Sequence, residues 1–295
     1  MTTFSPPVFT YAEMTTRNRG FVTEAEQARL RDSQVFIPGV GGMGGAAFMA
    51  LVRAGVGRFV IADIDTFEVS NLNRQLFATL PQVGRPKAEV ARDTALTINP
   101  EAQIEVLGRE WTDDLDRLLA ASHVAVNGMD DAGAGVHLYR RAKAHGRSVI
   151  DAYAAPLPSV TVVRPDAPRL EERLGYPTVG TDWTAVTAEM RTECLEREIA
   201  YVLTHSSSHL YVDLDIAAEV AAGKRSRFSF STMVTMAGTM MAEEAVRILL
   251  SRPGGTDHRG YFFNPHKVAV ERPHWAPVAA VRGFAVRRLM KRMMG

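Results

Sequence analysis

Cysteine is nearly absent from this sequence, since Cys194 is the only one among 295 residues. A single thiol cannot form an internal disulfide or a cysteine-rich zinc site, so we expect no zinc. No run of about eighteen uncharged apolar residues occurs, which is roughly the length that spans a bilayer. The N-terminus also has no charged leader followed by an apolar core. These absences predict a cytoplasmic protein without an integral membrane segment.

A general excess of basic side chains is also missing. The formal net charge is +1, and five basic residues lie in the last nineteen positions: Arg282, Arg287, Arg288, Lys291 and Arg292. The remainder therefore carries 29 basic and 33 acidic side chains, which argues against a nucleic-acid partner. Residues 276–295 read as a basic amphipathic tail, which fits a solvated segment or a contact with an acidic partner or membrane surface.

Short apolar runs alternate with helical patterns along the first half of the chain. We predict strands at 35–37, 58–62, 104–107, 123–127, 148–153 and 159–163, and helices at 43–54, 86–97, 113–121 and 133–145. Strands that alternate with helices indicate an α/β fold with a doubly wound, mostly parallel, Rossmann-like sheet. Ligands of such sheets bind beyond the carboxyl ends of the strands.

The pattern changes after Pro165 and becomes regular again near residue 231. Residues 166–230 are irregular and predict a crossover insertion that handles substrate, with one helix at about 184–203. A helix at 232–250 and antiparallel strands at 261–263 and 268–270 close the fold. We therefore predict a single domain over 1–275, whose nucleotide-binding half is 1–165 and whose closing helix and hairpin are 231–275.

A glycine-rich turn follows the first strand. Gly39, Gly41, Gly42 and Gly44 separate that strand from a helical pattern, and glycines let the backbone approach a phosphate at a helix N-terminus. The second strand ends in Asp63, where an acidic side chain can accept hydrogen bonds from ribose hydroxyls. This pattern alone fits a nicotinamide dinucleotide as well as ATP.

Further polar residues favour ATP. Arg74 and Lys87 follow the Asp63 strand, and together they suit the phosphates at which charge develops during attack on an α-phosphate. Asp130 and Asp131 follow the strand at 123–127, where a carboxylate can hold Mg²⁺. One of the two can instead cap the next helix, and we favour that role for Asp131.

These motifs occur in the order of a known family. They are Gly39–Gly45, Ala54–Gly57, Asp63–Asp65, Ser70–Gln75, Val83–Lys87, Ile98–Pro100 and Gly128–Asp130. Over residues 11–165 the sequence resembles the ThiF/MoeB, or ubiquitin-activating-enzyme-like, adenylyltransferases. The resemblance implies an enzyme that uses ATP and Mg²⁺ to adenylate a carboxylate.

The resemblance also implies roles for single residues. Asp63, with Asp65, would contact the ribose side of the nucleotide. Asn71, Arg74 and Lys87 would contact the phosphates, and Asp130 the metal. An N-terminal arginine of the family usually reaches the γ-phosphate across a dimer interface, so we expect a homodimer in which Arg17, with Arg19 second, has this role.

The sequence departs from the family at its cysteines. Many relatives carry two Cys-x-x-Cys pairs for zinc, which this chain lacks. Cys194 lies where relatives place an acyl-accepting thiol, but it reads as an exposed helix face beside Glu193, Glu196 and Glu198, which oppose thiolate formation. We therefore expect attack by an amine or by a group of the substrate, rather than by an enzyme thiol, and the sequence does not identify this nucleophile. The acyl substrate stays open among a carrier protein, a peptide and a small acid.

Two other functions remain open. An NAD(P)-dependent oxidoreductase would share the fingerprint from Gly39 to Asp63, but it leaves Asn71, Arg74 and Lys87 unexplained. A non-catalytic nucleotide-binding protein would keep the fold to bind a partner. His205 and His209 read as polar loop residues, because no third metal ligand is near. Helical spacing of Met233, Met236, Met240 and Met241 indicates packing.

Overall fold

The computed structural model describes residues 8–221, 224–225 and 228–294 of the chain. These residues form one sheet of eight strands. The strands are β1 Gln34–Pro38, β2 Arg58–Ala62, β3 Gln103–Leu107, β4 Val124–Val126, β5 Val149–Asp151, β6 Ser159–Val163, β7 Tyr261–Asn264 and β8 Ala269–Glu271. Their order is β3-β2-β1-β4-β5-β6-β7-β8.

Helices occupy most of the remaining described residues. They are α1 Tyr11–Met14, α2 Glu24–Asp32, α3 Gly42–Ala54, α4 Lys87–Ile98, α5 Leu115–Ala121, α6 Ala132–Ala144, α7 Leu170–Leu174, α8 Ala188–His205, α9 Leu214–Ala221, α10 Ser231–Leu249 and α11 Ala276–Met294. No helix among the described residues is both long and apolar enough to cross a membrane.

The direction of the strands confirms the predicted fold class. β3, β2, β1, β4 and β5 pair in parallel, whereas β6, β7 and β8 continue the sheet antiparallel. All five parallel strands therefore end at one edge. The turns after β1, β2, β4 and β5 meet there, which is where a doubly wound sheet binds its ligand.

Alternate residues of the strands bury two separate apolar layers. Val35 and Ile37 of β1 pack in the layer of α3, α4 and α10. Phe36 points to the opposite face and packs in the layer of α5 and α6. Full burial of each such side chain contributes about 1.5–3 kcal/mol, so the two-residue alternation fixes the register of β1.

The contact of α3 with α10 is unusually close because both helices carry a small residue there. A Cβ added at Gly238 would lie 2.4 Å from the carbonyl oxygen of Met43. Met240 and Met241 of α10 belong to the same apolar layer, as their helical spacing predicts. This packing fixes the N-terminus of α3 against the body of the protein.

The predicted elements agree closely with the structure through residue 163, and less closely in the insertion. α8 begins at Ala188 rather than at about 184, because Trp183–Ala185 form a separate turn and Thr187 caps the helix. The short helices α7 and α9 were not predicted. Residues 1–7, 222–223 and 226–227 of the predicted domain lie outside the described residues, as do the side chains of Lys291 and Arg292 in the tail.

Candidate active site

The glycine turn after β1 packs against the turn after β4. Gly39 has φ +84°, in the left-handed region, and a Cβ there would lie 2.5 Å from the carbonyl carbon of Gly128. A Cβ on Gly44 would lie 1.9 Å from the carbonyl oxygen of Gly39. Side chains at these positions would therefore push the two turns apart, which explains why the approach requires glycine.

The turn ends in the open N-terminus of α3. The N-cap is Gly41, which has no side chain, so no cap side chain accepts hydrogen bonds from the first N–H groups of the helix. Free backbone N–H groups at such a helix end form an anion site. Gly41 and Gly42, two of the predicted cofactor-binding glycines, lie at this end, and Gly44 follows two residues after Gly42.

Asp63 joins the turn to the end of β2. Its carboxylate accepts hydrogen bonds from the backbone N–H of Val40, at 2.9 Å, and of Asp65, at 3.0 Å. Burial raises the pKa of Asp63 above its usual value, while these N–H groups and Lys87 oppose the rise. Each carboxylate oxygen keeps further acceptor capacity, which the predicted ribose contact requires.

The segment from Asn71 to Gln75 lies against the glycine turn. A Cβ on Gly41 would lie 3.6 Å from the Gln75 side-chain nitrogen. Asn71 is buried, and its side-chain oxygen accepts a hydrogen bond from the backbone N–H of Glu68. Arg74 donates to the carbonyl oxygen of Ser70 and to the side-chain oxygen of Asn73, both at 2.9 Å. No carboxylate within the described ranges pairs with Arg74.

Lys87 and Asp65 form an ion pair that was not predicted. The Lys87 Nζ atom lies 2.8 Å from Asp65 Oδ2, and the Lys87 side chain is 9% exposed against 62% for Asp65. The Lys87 backbone N–H also donates to the Asp65 carbonyl oxygen, at 2.9 Å. Asp65 therefore holds the lysine in place, and a phosphate would share or take over that ammonium.

The turn after β4 carries two carboxylates, of which one is exposed without a partner among the described residues and the other is hydrogen-bonded and ion-paired. Asp130 is exposed and has no hydrogen-bond or ion-pair partner in the part of the chain that the structure describes. Asp131 is the N-cap of α6, as predicted, and accepts from the Ala134 N–H at 2.7 Å. It also pairs with Arg191 of α8 at 2.7 Å, so the insertion is tied to this turn.

The structure does not bring Arg17 to the glycine turn of its own chain. Asn18 donates to the carbonyl oxygen of Ala54, so the neighbouring Arg17 lies at the C-terminal end of α3. A thirteen-residue helix is about 20 Å long, which separates Arg17 from the open helix end. Arg17 is exposed, whereas Arg19 pairs with Glu24 at 3.1 Å.

Two sets of polar residues near the site received no role from the sequence. Gln75 is 7% exposed, and its side-chain oxygen has no hydrogen-bond partner among the described residues. Asp151 ends β5 and accepts hydrogen bonds from Asn127 and Tyr139. The strand-end argument that selected Asp63 and Asp130 applies equally to Asp151 and would have found it.

The prediction that Cys194 lies on an exposed helix face was wrong. The residue is 2% exposed, because α8 packs its cysteine side inward. Burial, followed by the charges of Glu193, Glu171 and Glu198, raises the pKa of Cys194 to about 11. His205 ends α8 and accepts a hydrogen bond from the backbone N–H of His274, so it is a structural polar group.

The residues present suit a triphosphate with a magnesium ion. The N-cap of α3 is a glycine that satisfies no N–H group with a side chain. Arg74 lies on the segment that packs against Gly41 through Gln75, and Lys87 pairs with Asp65, whose backbone N–H donates to Asp63. The described residues contain no group of three or more His, Cys, Asp or Glu that could hold a metal alone. Mg²⁺ commonly binds one or two carboxylates plus substrate phosphates, which Asp130 and ATP would provide.

Known proteins share this sequence over part of its length. Molybdopterin-synthase adenylyltransferase of Salmonella typhimurium is 43% identical over 108 residues, or 37% of this chain and 43% of that protein. Sulfur carrier protein ThiS adenylyltransferase of Escherichia coli is 42% identical over 86 residues, or 29% of this chain and 34% of that protein. The matches span less than half the length of these relatives.

Solved structures share the fold over most of the chain. Escherichia coli MccB with ATP has a TM-score of 0.64 and 15% identity, covering 89% of this chain and 70% of that one. PaaA has a TM-score of 0.61 and 19% identity, covering 92% of this chain and 77% of that one. The ThiF family profile matches residues 15–278, most of the sequence, and the chain therefore belongs to the ThiF family.

Proposed function

We propose that this protein is an ATP-dependent adenylyltransferase. A carboxylate oxygen of the acyl substrate attacks the α-phosphorus of ATP and forms a P–O bond. The bond from that phosphorus to the oxygen that bridges the α- and β-phosphates breaks. Pyrophosphate leaves with the electron pair, and an acyl-adenylate remains.

The chain's own residues would bind and orient rather than react covalently. The N-terminus of α3 and the glycine turn hold phosphate oxygens, and Asp63 holds the ribose. Arg74 and Lys87 stabilise the charge that develops on the phosphates, which is the main requirement of phosphoryl chemistry. Mg²⁺, when bound at Asp130, would neutralise part of the same charge.

The observation that carries the proposal is the open anion site with cationic side chains beside it. Arg74 has no acidic partner among the described residues, and Lys87 is buried against a single exposed carboxylate. A nicotinamide dinucleotide carries only two bridging phosphates, so it would leave the cationic side chains of Arg74 and Lys87 without a phosphate to bind. The solved neighbour MccB is recorded with ATP, which supports the same choice.

The acyl substrate we propose is the C-terminus of a small carrier protein or a peptide. Relatives are named for the carrier protein ThiS and for molybdopterin synthase, and a solved structure of MccB contains MccA. We further propose a homodimer in which Arg17 reaches the partner subunit's site, because Arg17 lies far from its own. A cytoplasmic setting would supply ATP and keep Cys194 reduced.

Exchange of labelled pyrophosphate into ATP tests the chemistry, with candidate carboxylic acids supplied in turn. We expect Arg74→Ala and Asp130→Ala to lower exchange at least about a hundredfold, because each removes charge stabilisation worth about 3 kcal/mol or more. Circular dichroism should show an unchanged fold, since both side chains lie at the surface of the site.

Two matched variants control for a general loss of charge. Arg53→Ala removes an exposed arginine at the far end of α3, and Asp113→Ala removes an exposed carboxylate outside the site. Both should retain wild-type exchange. Full exchange by Arg74→Ala and Asp130→Ala would contradict the assigned roles.

A further inference from the structure

A buried polar chain links the end of β5 to the turn that carries Asp130. Val126 of β4 is in register with Ile150 of β5, so the next residues, Asn127 and Asp151, face each other at the active-site edge of the sheet. The Asn127 backbone N–H donates to the Ile150 carbonyl oxygen at 2.8 Å. The two side chains are therefore held at a fixed separation.

The Asp151 carboxylate receives three hydrogen bonds. Its Oδ2 atom accepts from Asn127 Nδ2 at 2.9 Å and from the Tyr139 hydroxyl at 2.6 Å. Its Oδ1 atom accepts from the backbone N–H of Ala152 at 2.7 Å. No arginine or lysine pairs with Asp151 in the described ranges, so donors alone hold a largely enclosed carboxylate in this place.

The Asp151 carboxylate and the Met129 backbone N–H together determine the orientation of the Asn127 amide. Because its nitrogen points to Asp151, its oxygen points the other way and accepts a hydrogen bond from the backbone N–H of Met129, at 3.2 Å. A flipped amide would set a donor against that N–H and an acceptor against the carboxylate. Asn127 is 6% exposed, so water cannot readily replace either contact.

The Met129 N–H lies in the turn between Gly128 and Asp130. Gly128 touches the glycine turn so closely that a Cβ on it would lie 2.0 Å from the Gly39 carbonyl oxygen. The turn therefore has little freedom on that side, and the Asn127 contact holds its other side. The backbone position of Asp130, the next residue, depends on both contacts.

We infer that Asp151 is a positioning residue for the metal-binding turn: through the Asn127 amide it fixes the backbone position from which the Asp130 side chain reaches the metal. This inference rests on the proposed function, in which Asp130 holds Mg²⁺ beside ATP. Asp151 itself contacts neither group. Its removal should therefore affect the use of Mg²⁺ more than the affinity for metal-free ATP.

The test measures the gain in ATP affinity that Mg²⁺ provides, by calorimetry with Mg²⁺ and with a chelator. Asp151→Asn places an NH₂ group against one of the three donors, and we expect the gain to fall about tenfold. Asn127→Ala, which keeps Asp151, should give a similar loss and serves if Asp151→Asn fails to fold. Tyr139→Phe keeps the Asn127 contact and should stay within about twofold of wild type.

A double-mutant cycle separates positioning from general damage. In an Asp130→Ala background, Asp151→Asn should cause no further loss of the magnesium gain, because both act through one carboxylate. Glu271→Gln is the matched control: that carboxylate also accepts from three donors, on Ser207 and Asn264, but it lies outside the site. It should leave the gain unchanged.

The inference would be overturned if Asp151→Asn lowered the Mg²⁺-dependent gain in ATP affinity further in the Asp130→Ala background. It would also be overturned if the Asp151→Asn variant alone showed the same gain as wild type. A wild-type protein that binds ATP with no gain from Mg²⁺ would instead contradict the role of Asp130 in the proposed function. The two failures are distinguished by whether the wild type or only the variants depart from expectation.

Discussion

At the scale of single residues, the site holds its charges with backbone groups and short polar contacts. Asp63 accepts two backbone N–H groups, and Lys87 donates to Asp65. The Lys87–Asp65 pair is half exposed, so it contributes little to stability. The ion pair instead holds the buried Lys87 ammonium in place before the nucleotide binds, which lowers the entropic cost of ordering that side chain.

The titration of Asp151 gives a test at the same scale. Desolvation raises its pKa to about 7, despite the hydrogen bonds from Tyr139 and Asn127 that lower it. Since the folded pKa lies above the unfolded value, the protonated form stabilises the fold, and this contribution is lost as pH rises from about 4 to about 7.

The free energy of unfolding should show this trend when Asp151→Asn is compared with wild type. We expect the stability of wild type relative to Asp151→Asn to fall by up to about 4 kcal/mol between pH 4 and pH 7. Glu271, whose pKa is lowered by Ser207 and Asn264 despite burial, should give the opposite trend in Glu271→Gln. A difference that does not change with pH would contradict an enclosed Asp151 carboxylate.

At the scale of elements, the sequence predicted what local patterns encode. Apolar runs bounded by glycines or prolines predicted the ends of β1, β2, β6 and α3 to within a residue or two. The position of Arg17 depends on the packing of the N-terminal segment on the end of α3, and the burial of Cys194 depends on which side of α8 faces inward. Both are tertiary facts, which no local pattern reports.

The elements also limit what Cys194 can do. Because the thiol is buried and its pKa is raised to about 11, iodoacetamide at pH 7.5 should label it far more slowly in the native protein than after unfolding. Cys194→Ala should retain pyrophosphate exchange. Fast native labelling, together with a thioester to the acyl substrate that forms in wild type and not in Cys194→Ala, would restore the thiol as an acyl acceptor.

At the scale of the whole molecule, the proposed role of Arg17 requires a second copy of the chain. Arg17 lies at the opposite end of α3 from the glycine turn, about 20 Å away. A second copy in a two-fold arrangement would supply it, and each subunit would complete the other's site. This is the reason to expect a homodimer.

Mixing two inactive variants tests that arrangement. Arg17→Ala and Arg74→Ala should each lack exchange activity, but after exchange of subunits the equimolar mixture should regain about a quarter of wild-type activity, since half of the dimers then contain one intact site. Two wild-type samples mixed in the same way give the reference. No recovery, with mixed dimers demonstrated by size and mass, would contradict a role for Arg17 across the interface.

The central claim is that the pocket beyond β1 and β2 is built for a triphosphate. Calorimetric titration with MgATP and with reduced nicotinamide dinucleotide tests it most directly. The account predicts that MgATP binds at least about a hundredfold more tightly, a difference of about 2.7 kcal/mol, and that Arg74→Ala removes most of this preference. Tighter binding of the dinucleotide, or a preference for MgATP that survives Arg74→Ala, would contradict it.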